Sequence, residues 1–282
     1  ADVIIDGGTT ALVLAASTID GDLTVRSGNA SGITDSGTLT VGGNLAAITD
    51  ANNGVINLGT LAVDGTVALT THGSGNATVV NDAGLNFAAS TVGGNLAATA
   101  TTGNMTDSGA LAITGTSSFT TSASNATITL NTTTNAFTGA VTITTNDNSA
   151  DGSTDADVTI DGGTTALVLA TSTIDGDLTV RSGNASGITD SGTVTVGGNL
   201  AATTDANNGA INLGTLAVGG TVALTTHGSG NATVVNDEDL NFAASTVGGN
   251  LAAIATTGNM TDSGTVTVGG NLAAITDANN GV

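Results

Sequence analysis

The chain repeats itself at long range, and the two copies are nearly identical. Residues 1–110 and 156–265 share 100 of 110 positions at an offset of 155. The ten that differ are 4, 16, 39, 48, 55, 64, 83, 84, 99 and 110 in the numbering of the first copy. A chain that reuses its sequence so closely folds as an array of like units, each leaning on its neighbours. After Thr265 the second copy departs, and residues 266–282 follow 39–55 instead. The long repeats are thus 1–155 and 156–282. The whole of 1–282 reads as one continuous array, a window on a longer one.

A finer period lies inside the long one. A small turn ending in glycine precedes a short alternating run at Gly21-Asp22-Leu23-Thr24-Val25, Gly43-Asn44-Leu45-Ala46-Ala47 and Gly65-Thr66-Val67-Ala68-Leu69. The glycine returns at Gly94, Gly115, Gly139 and Gly176, at spacings of 22, 22, 29, 21, 24 and 37. Two further alternating runs follow each glycine, as in Ile33-Thr34-Asp35 and Leu39-Thr40-Val41. Period-2 alternation is the strand signature. The gaps are filled by Gly, Asn, Asp and Ser, the residues that turns at positive φ require.

Three short strands and three turns make about 22 residues, one coil of a three-faced parallel β-solenoid. The expected fold is all-β, with eleven to twelve coils stacked strand upon like strand. Leu23, Val25, Leu45, Val67 and Leu69 should point inward, and Thr24, Ala46 and Ala68 outward. The four phenylalanines, Phe87, Phe119, Phe137 and Phe242, read as core. One coil buries too few side chains to offset the entropy of ordering it, so several must stack to be stable. The absence of proline fits, because interior coils need their N–H groups on both sides. The general crossover preference favours a right-handed coil.

Composition narrows the function classes. The chain has no Cys, which excludes a disulfide scaffold and thiolate metal sites. Its only basic residues are Arg26 and Arg181, so there is no lysine for a Schiff base or a phosphate loop. A net charge of −21 argues against nucleic acid and anionic membrane surfaces. No apolar run approaches the ~20 residues of a membrane-spanning helix. An enzyme is not expected: the two arginines are repeat equivalents, and no aromatic platform for sugars accompanies them. His72 and His227 occupy the same Thr-His-Gly-Ser-Gly-Asn turn of each copy and read as exposed turn residues. The Asn-x-Ser/Thr sequons are about as frequent as chance predicts. The expected outward column Thr24, Ala46, Ala68, Ala97, Ser118, Thr142 is too irregular for an ice-binding face.

The units TLTVGGNLAAITDANNGVINLGTLAV and GDLTVRSGNASGITDSGTLTV resemble the repeats of large secreted bacterial surface proteins, the filamentous-haemagglutinin-type adhesins and related autotransporter passengers. The resemblance covers essentially the whole chain. It implies an exported β-helical rod at the cell surface that holds binding regions away from the cell. The function expected is a structural, non-enzymatic shaft of an extracellular adhesin or surface fibre. A subunit of a self-assembling filament or sheath, and a ligand- or calcium-binding passenger, are the alternatives. Expected partners are neighbouring solenoid segments or copies of the chain itself. Any host or surface ligand would be held by regions outside this segment.

The sharpest local signal is Asp147-Asn148-Ser149-Ala150-Asp151-Gly152-Ser153-Thr154-Asp155, in an insertion of about 144–157 within the longest interval. Its pattern D-x-S-x-D-G-x-x-D is the front of a calcium loop, in which alternate oxygens converge on a hard cation. The candidate ligands are Asp147, Ser149, Asp151 and Asp155. The bidentate twelfth position holds Val158, with Asp157 one residue short. No cofactor is required by the fold, and calcium is the one the sequence points to. The Asp-Ala-Asn-Asn-Gly turns at Asp50, Asp205 and Asp277 read as turn caps. Calcium titration of the chain beside an Asp151→Ala variant tests the loop: the variant should bind more weakly, and equal binding by both removes the site.

Overall fold

The computed structural model describes residues 1–146 and 155–277. They form a parallel β-solenoid of about 13 turns, with about 21 residues to the turn and no helix. At the ~4.8 Å strand spacing of a sheet, 13 turns make a rod of about 60 Å. Ladder partners are one turn apart: Val3 pairs with Leu23, Leu23 with Leu45, and Leu45 with Val67, all parallel.

Each turn contributes to two sheets. In the second turn, Leu23–Ser27 lies in the first sheet; Ile33–Asp35 and Leu39–Val41, separated by a corner, lie in the second. The expected phase holds. Leu23, Val25, Leu45, Val67 and Leu69 are buried, while Thr24, Ala46 and Ala68 are half-buried on the outer side. The phenylalanines sit in the core, and the rings of Phe119 and Phe137 meet edge to face at 5.7 Å. Turns stack so closely that glycine is needed at the corners. A Cβ on Gly32, which has φ +69°, would lie 1.8 Å from the Val55 carbonyl oxygen.

The stacking of like on like fails at the two long spacings, and this corrects both the coil count and the assumed columns. Through Gly65 the glycine-led strands occupy the first sheet. The next, Leu96–Ala100, lies in the second, where it pairs with Ala77–Asn81. It continues there through Ser117–Ser124 and Val141–Asn146. The strand after Gly176, Leu178–Ser182, is back in the first sheet, and that after Gly249, Leu251–Ala255, returns to the second. Spacings of 29 and 37 therefore carry the motif about half a turn beyond a whole number of turns. Six glycine-led units span seven turns, so counting glycines falls short. Thr24, Ala46 and Ala68 form one outward column, and Ala97, Ser118 and Thr142 another on the opposite sheet.

Each change of face breaks the backbone ladder, and buried side chains repair it. The Asn81 amide accepts from the Val63 N–H at 2.8 Å and donates to the Val63 and Gly84 carbonyls. The Ser90 hydroxyl accepts from the Leu69 N–H at 3.0 Å and donates to the Ala88 carbonyl. Asn236 and Ser245 repeat this in the second copy. Around the second change of face Asn135 and Ser172 do the same for the Leu111 and Ile143 N–H groups. There Ile128 pairs with Val158, so one turn absorbs the extra residues, while the strand Val141–Asn146 holds its place in the rod. An orphaned buried backbone group costs about 1–3 kcal/mol. Replacing Asn81 by Ala should therefore destabilise the turns around it by at least that much. Hydrogen exchange at the Val63 amide is the direct readout; unchanged protection would mean the side chain is not the ladder's substitute.

Candidate functional site

The polar side chains along the rod are mostly spent on stacking. The residue after the corner glycine forms a ladder of its own. Asp2 Oδ1 accepts the Asp22 N–H at 3.0 Å, Asp22 Oδ1 the Asn44 N–H at 2.7 Å, and Asn44 Oδ1 the Thr66 N–H at 2.9 Å. The series Asp157, Asp177, Asn199, Thr221 repeats it, and Asn76, Asn95, Thr116 continue it on the opposite sheet. The recurrent Gly-Gly-Asn of the sequence was the available signal, but nothing local distinguishes a ladder asparagine from a turn asparagine. Among the sequon asparagines, the amides of Asn76, Asn104 and Asn231 each accept a backbone N–H one turn away, and Asn29 and Asn184 donate to the Thr9 and Thr164 carbonyls.

Both arginines are paired. Arg26 meets the carboxylate of Asp50 with Nε and Nη2, and Arg181 meets Asp205 in the same way. The spacing of 24 residues is about one turn, so these aspartates do more than cap their turns. Strand pairing also sets Asp6 beside Arg26 and Asp161 beside Arg181. Asp161 is buried, with its Oδ1 accepting the Gly163 N–H at 2.7 Å. Burial pushes its carboxyl above the ordinary 3.8, against the opposing pull of that N–H and of Arg181. His72 and His227 are exposed, as expected, but each is the last residue of a strand and not part of the turn that follows; His227 Nδ1 lies 2.8 Å from the Thr204 carbonyl oxygen.

Of the calcium-loop candidates, Asp147, Ser149 and Asp151 lie outside the described residues. Asp155 is exposed, and its carbonyl accepts the Asp157 N–H. The Asp157 carboxylate is itself a rung of the corner ladder. No group of three or more acidic or histidine side chains is placed to hold a metal among the described residues.

Two surface grooves interrupt the rod in the first copy, both beside the first change of face. One, of about 260 Å³, is lined by Thr38, Thr60, Val80 and Asp82 among others. The other, of about 300 Å³, lies where Asp64 and Gly65 meet Ala83, Gly84 and Asn86 of the next turn and Asn104 and Thr106 of the one after. Asn86 Oδ1 is buried there without a hydrogen-bond partner, as is Asn241 Oδ1 in the second copy.

Residues 1–58, 74–144, 155–213 and 229–282 match the family described as Repeats of unknown function (DUF5649). The chain belongs to that family. No curated protein and no solved structure matches it. The four matched segments enter the solenoid on alternating sheets, at Val3–Asp6, Ala77–Asn81, Val158–Asp161 and Ala232–Asn236. One family repeat therefore spans about three and a half turns, and successive repeats show the same side chains to opposite sides of the rod.

Because burial raises the folded-state pKa of Asp161, its contribution to stability is greatest below the unfolded value and is lost as pH rises through the folded one. Melting curves from pH 3 to 7 should show Asp161→Asn gaining on the parent as pH rises. A difference that stays flat with pH would remove Asp161 as the titrating group.

Proposed function

We propose that this chain is a structural, non-enzymatic shaft segment of an extracellular bacterial adhesin or surface fibre, giving stiff mechanical reach. One observation carries the reading: inter-turn hydrogen bonding continues through the changes of face, with buried Asn and Ser standing in wherever the backbone ladder breaks. Such bonds run along the rod axis, so bending it strains many of them together. Many of the Asp, Asn and Ser side chains are taken up by this stacking. The acidic surface keeps parallel rods apart. The bacterial and extracellular assignment rests on the resemblance of the repeats to those of secreted surface proteins. The shaft needs no cofactor; calcium in the 147–155 loop would add a local tie to it.

Electron cryo-microscopy of the native, full-length protein on cells and after shearing tests this. Rods of fixed length, rooted at the surface and ending in a distinct tip, are expected. Indefinite filaments with a helical repeat would replace the shaft with a self-assembling polymer.

A further inference from the structure

The two copies differ at ten positions, and seven of those exchanges are among uncharged residues. The three that change charge, Asp64 to Gly219, Ala83 to Glu238 and Gly84 to Asp239, all fall in the 300 Å³ corner groove or its counterpart. They are coupled in space. Glu238 Oε2 lies 3.9 Å from where a Cβ on Gly219 would stand. The carboxylate lost from one turn has been supplied by the next. Asp239 does separate work, since its Oδ1 accepts the Asn259 N–H at 2.6 Å as a ladder rung. Stability alone does not call for a carboxylate that survives by changing turns in an exposed corner.

We propose that this groove is a binding site for a hydroxyl-rich ligand, a neutral sugar unit of a polysaccharide. The lining offers both hydrogen-bonding senses: the Asp64 carboxylate accepts from a diol, and the Thr106 hydroxyl can donate to a ligand oxygen; in the second copy Glu238 beside Gly219 is the carboxylate. The Oδ1 of Asn86 is buried without a partner, an acceptor that a ligand hydroxyl would satisfy. The groove has room for a single sugar ring and contains no aromatic platform, so affinity at one site is weak. The arrangement compensates by repetition. Equivalent corners recur every seven turns on the same side of the rod, about 34 Å apart at the sheet spacing. A polymeric ligand spanning them gains the effective concentration of a tethered partner. This inference goes beyond the shaft reading, which needs no ligand along the rod.

The test is retention of the 282-residue chain on neutral polysaccharides (dextran, yeast mannan and mixed-linkage β-glucan) in chelator-containing buffer. The Asp64→Ala, Glu238→Ala double variant and the Asn86→Ala, Asn241→Ala double variant are run alongside, with Asp20→Ala as control. Retention on at least one polymer is expected, falling at least tenfold in both double variants, with unchanged melting temperatures and with the control like the parent. Titration with the matching monosaccharide should give only millimolar binding. A chain that ignores all three polymers overturns the proposal. So do double variants that keep the parent's melting temperature and bind as it does, and so does retention that appears only when calcium replaces the chelator. If one double variant melts early, Thr106→Ala supplies the comparison.

Discussion

Every interior turn of this protein must satisfy its backbone N–H and C=O groups on the turn above and the turn below. That constraint shapes the rest. In a parallel solenoid a residue's hydrogen-bond partner lies one turn away, so turns of different length, 19 residues from Ala77 to Leu96 and 24 from Ser117 to Val141, keep the ladder only by taking up the difference between strands. Even from Ile128 to Val158, the longest step, the pairing is in register, with Thr129 on Thr159 and Leu130 on Ile160. Small residues follow from the same constraint. Corners stacked at the sheet spacing leave room for glycine and for an Asp or Asn whose side chain adds another rung.

The changes of face show how the constraint is met when the motif itself steps out of phase. A family repeat of about three and a half turns cannot stack on its own copy; it stacks on the other half of the coil. This works because both sheets present the same requirements: alternating apolar residues, mainly Leu, Val and Ile, inward and a glycine-led corner at each end. Almost the same stretch of sequence, 39–55 and 266–282, begins in the second sheet in one case and in the first in the other. The cost is a broken ladder at each crossing, offset by the buried pairs Asn81 and Ser90, Asn135 and Ser172, and Asn236 and Ser245. Half a turn, more than a whole one, is the interchangeable unit of the rod.

Much of the fold was legible because period and phase are local properties. The alternation around Leu23, Leu45 and Val67 named the inward residues correctly, and the glycine spacing came close to the turn length. The candidate site was not legible in the same way. Asp64, Ala83, Gly84 and Thr106 come from three successive turns, and their nearness depends on where the change of face occurs. The Arg26–Asp50 pair was missed for the same reason, since only a known turn length turns a spacing of 24 into a contact.

The sequence by itself determined that this is a repetitive, all-β chain of short strands with an aliphatic core and an acidic surface. Strand phase and turn chemistry are set by residues a few positions apart, and they are copied almost unchanged from one long repeat to the next. Only the tertiary structure decided which strand lies on which. Parallel stacking is degenerate when every strand offers a similar inward face, and the choice falls to whole-turn hydrogen-bond registry and to the few buried Asn and Ser side chains that complete it.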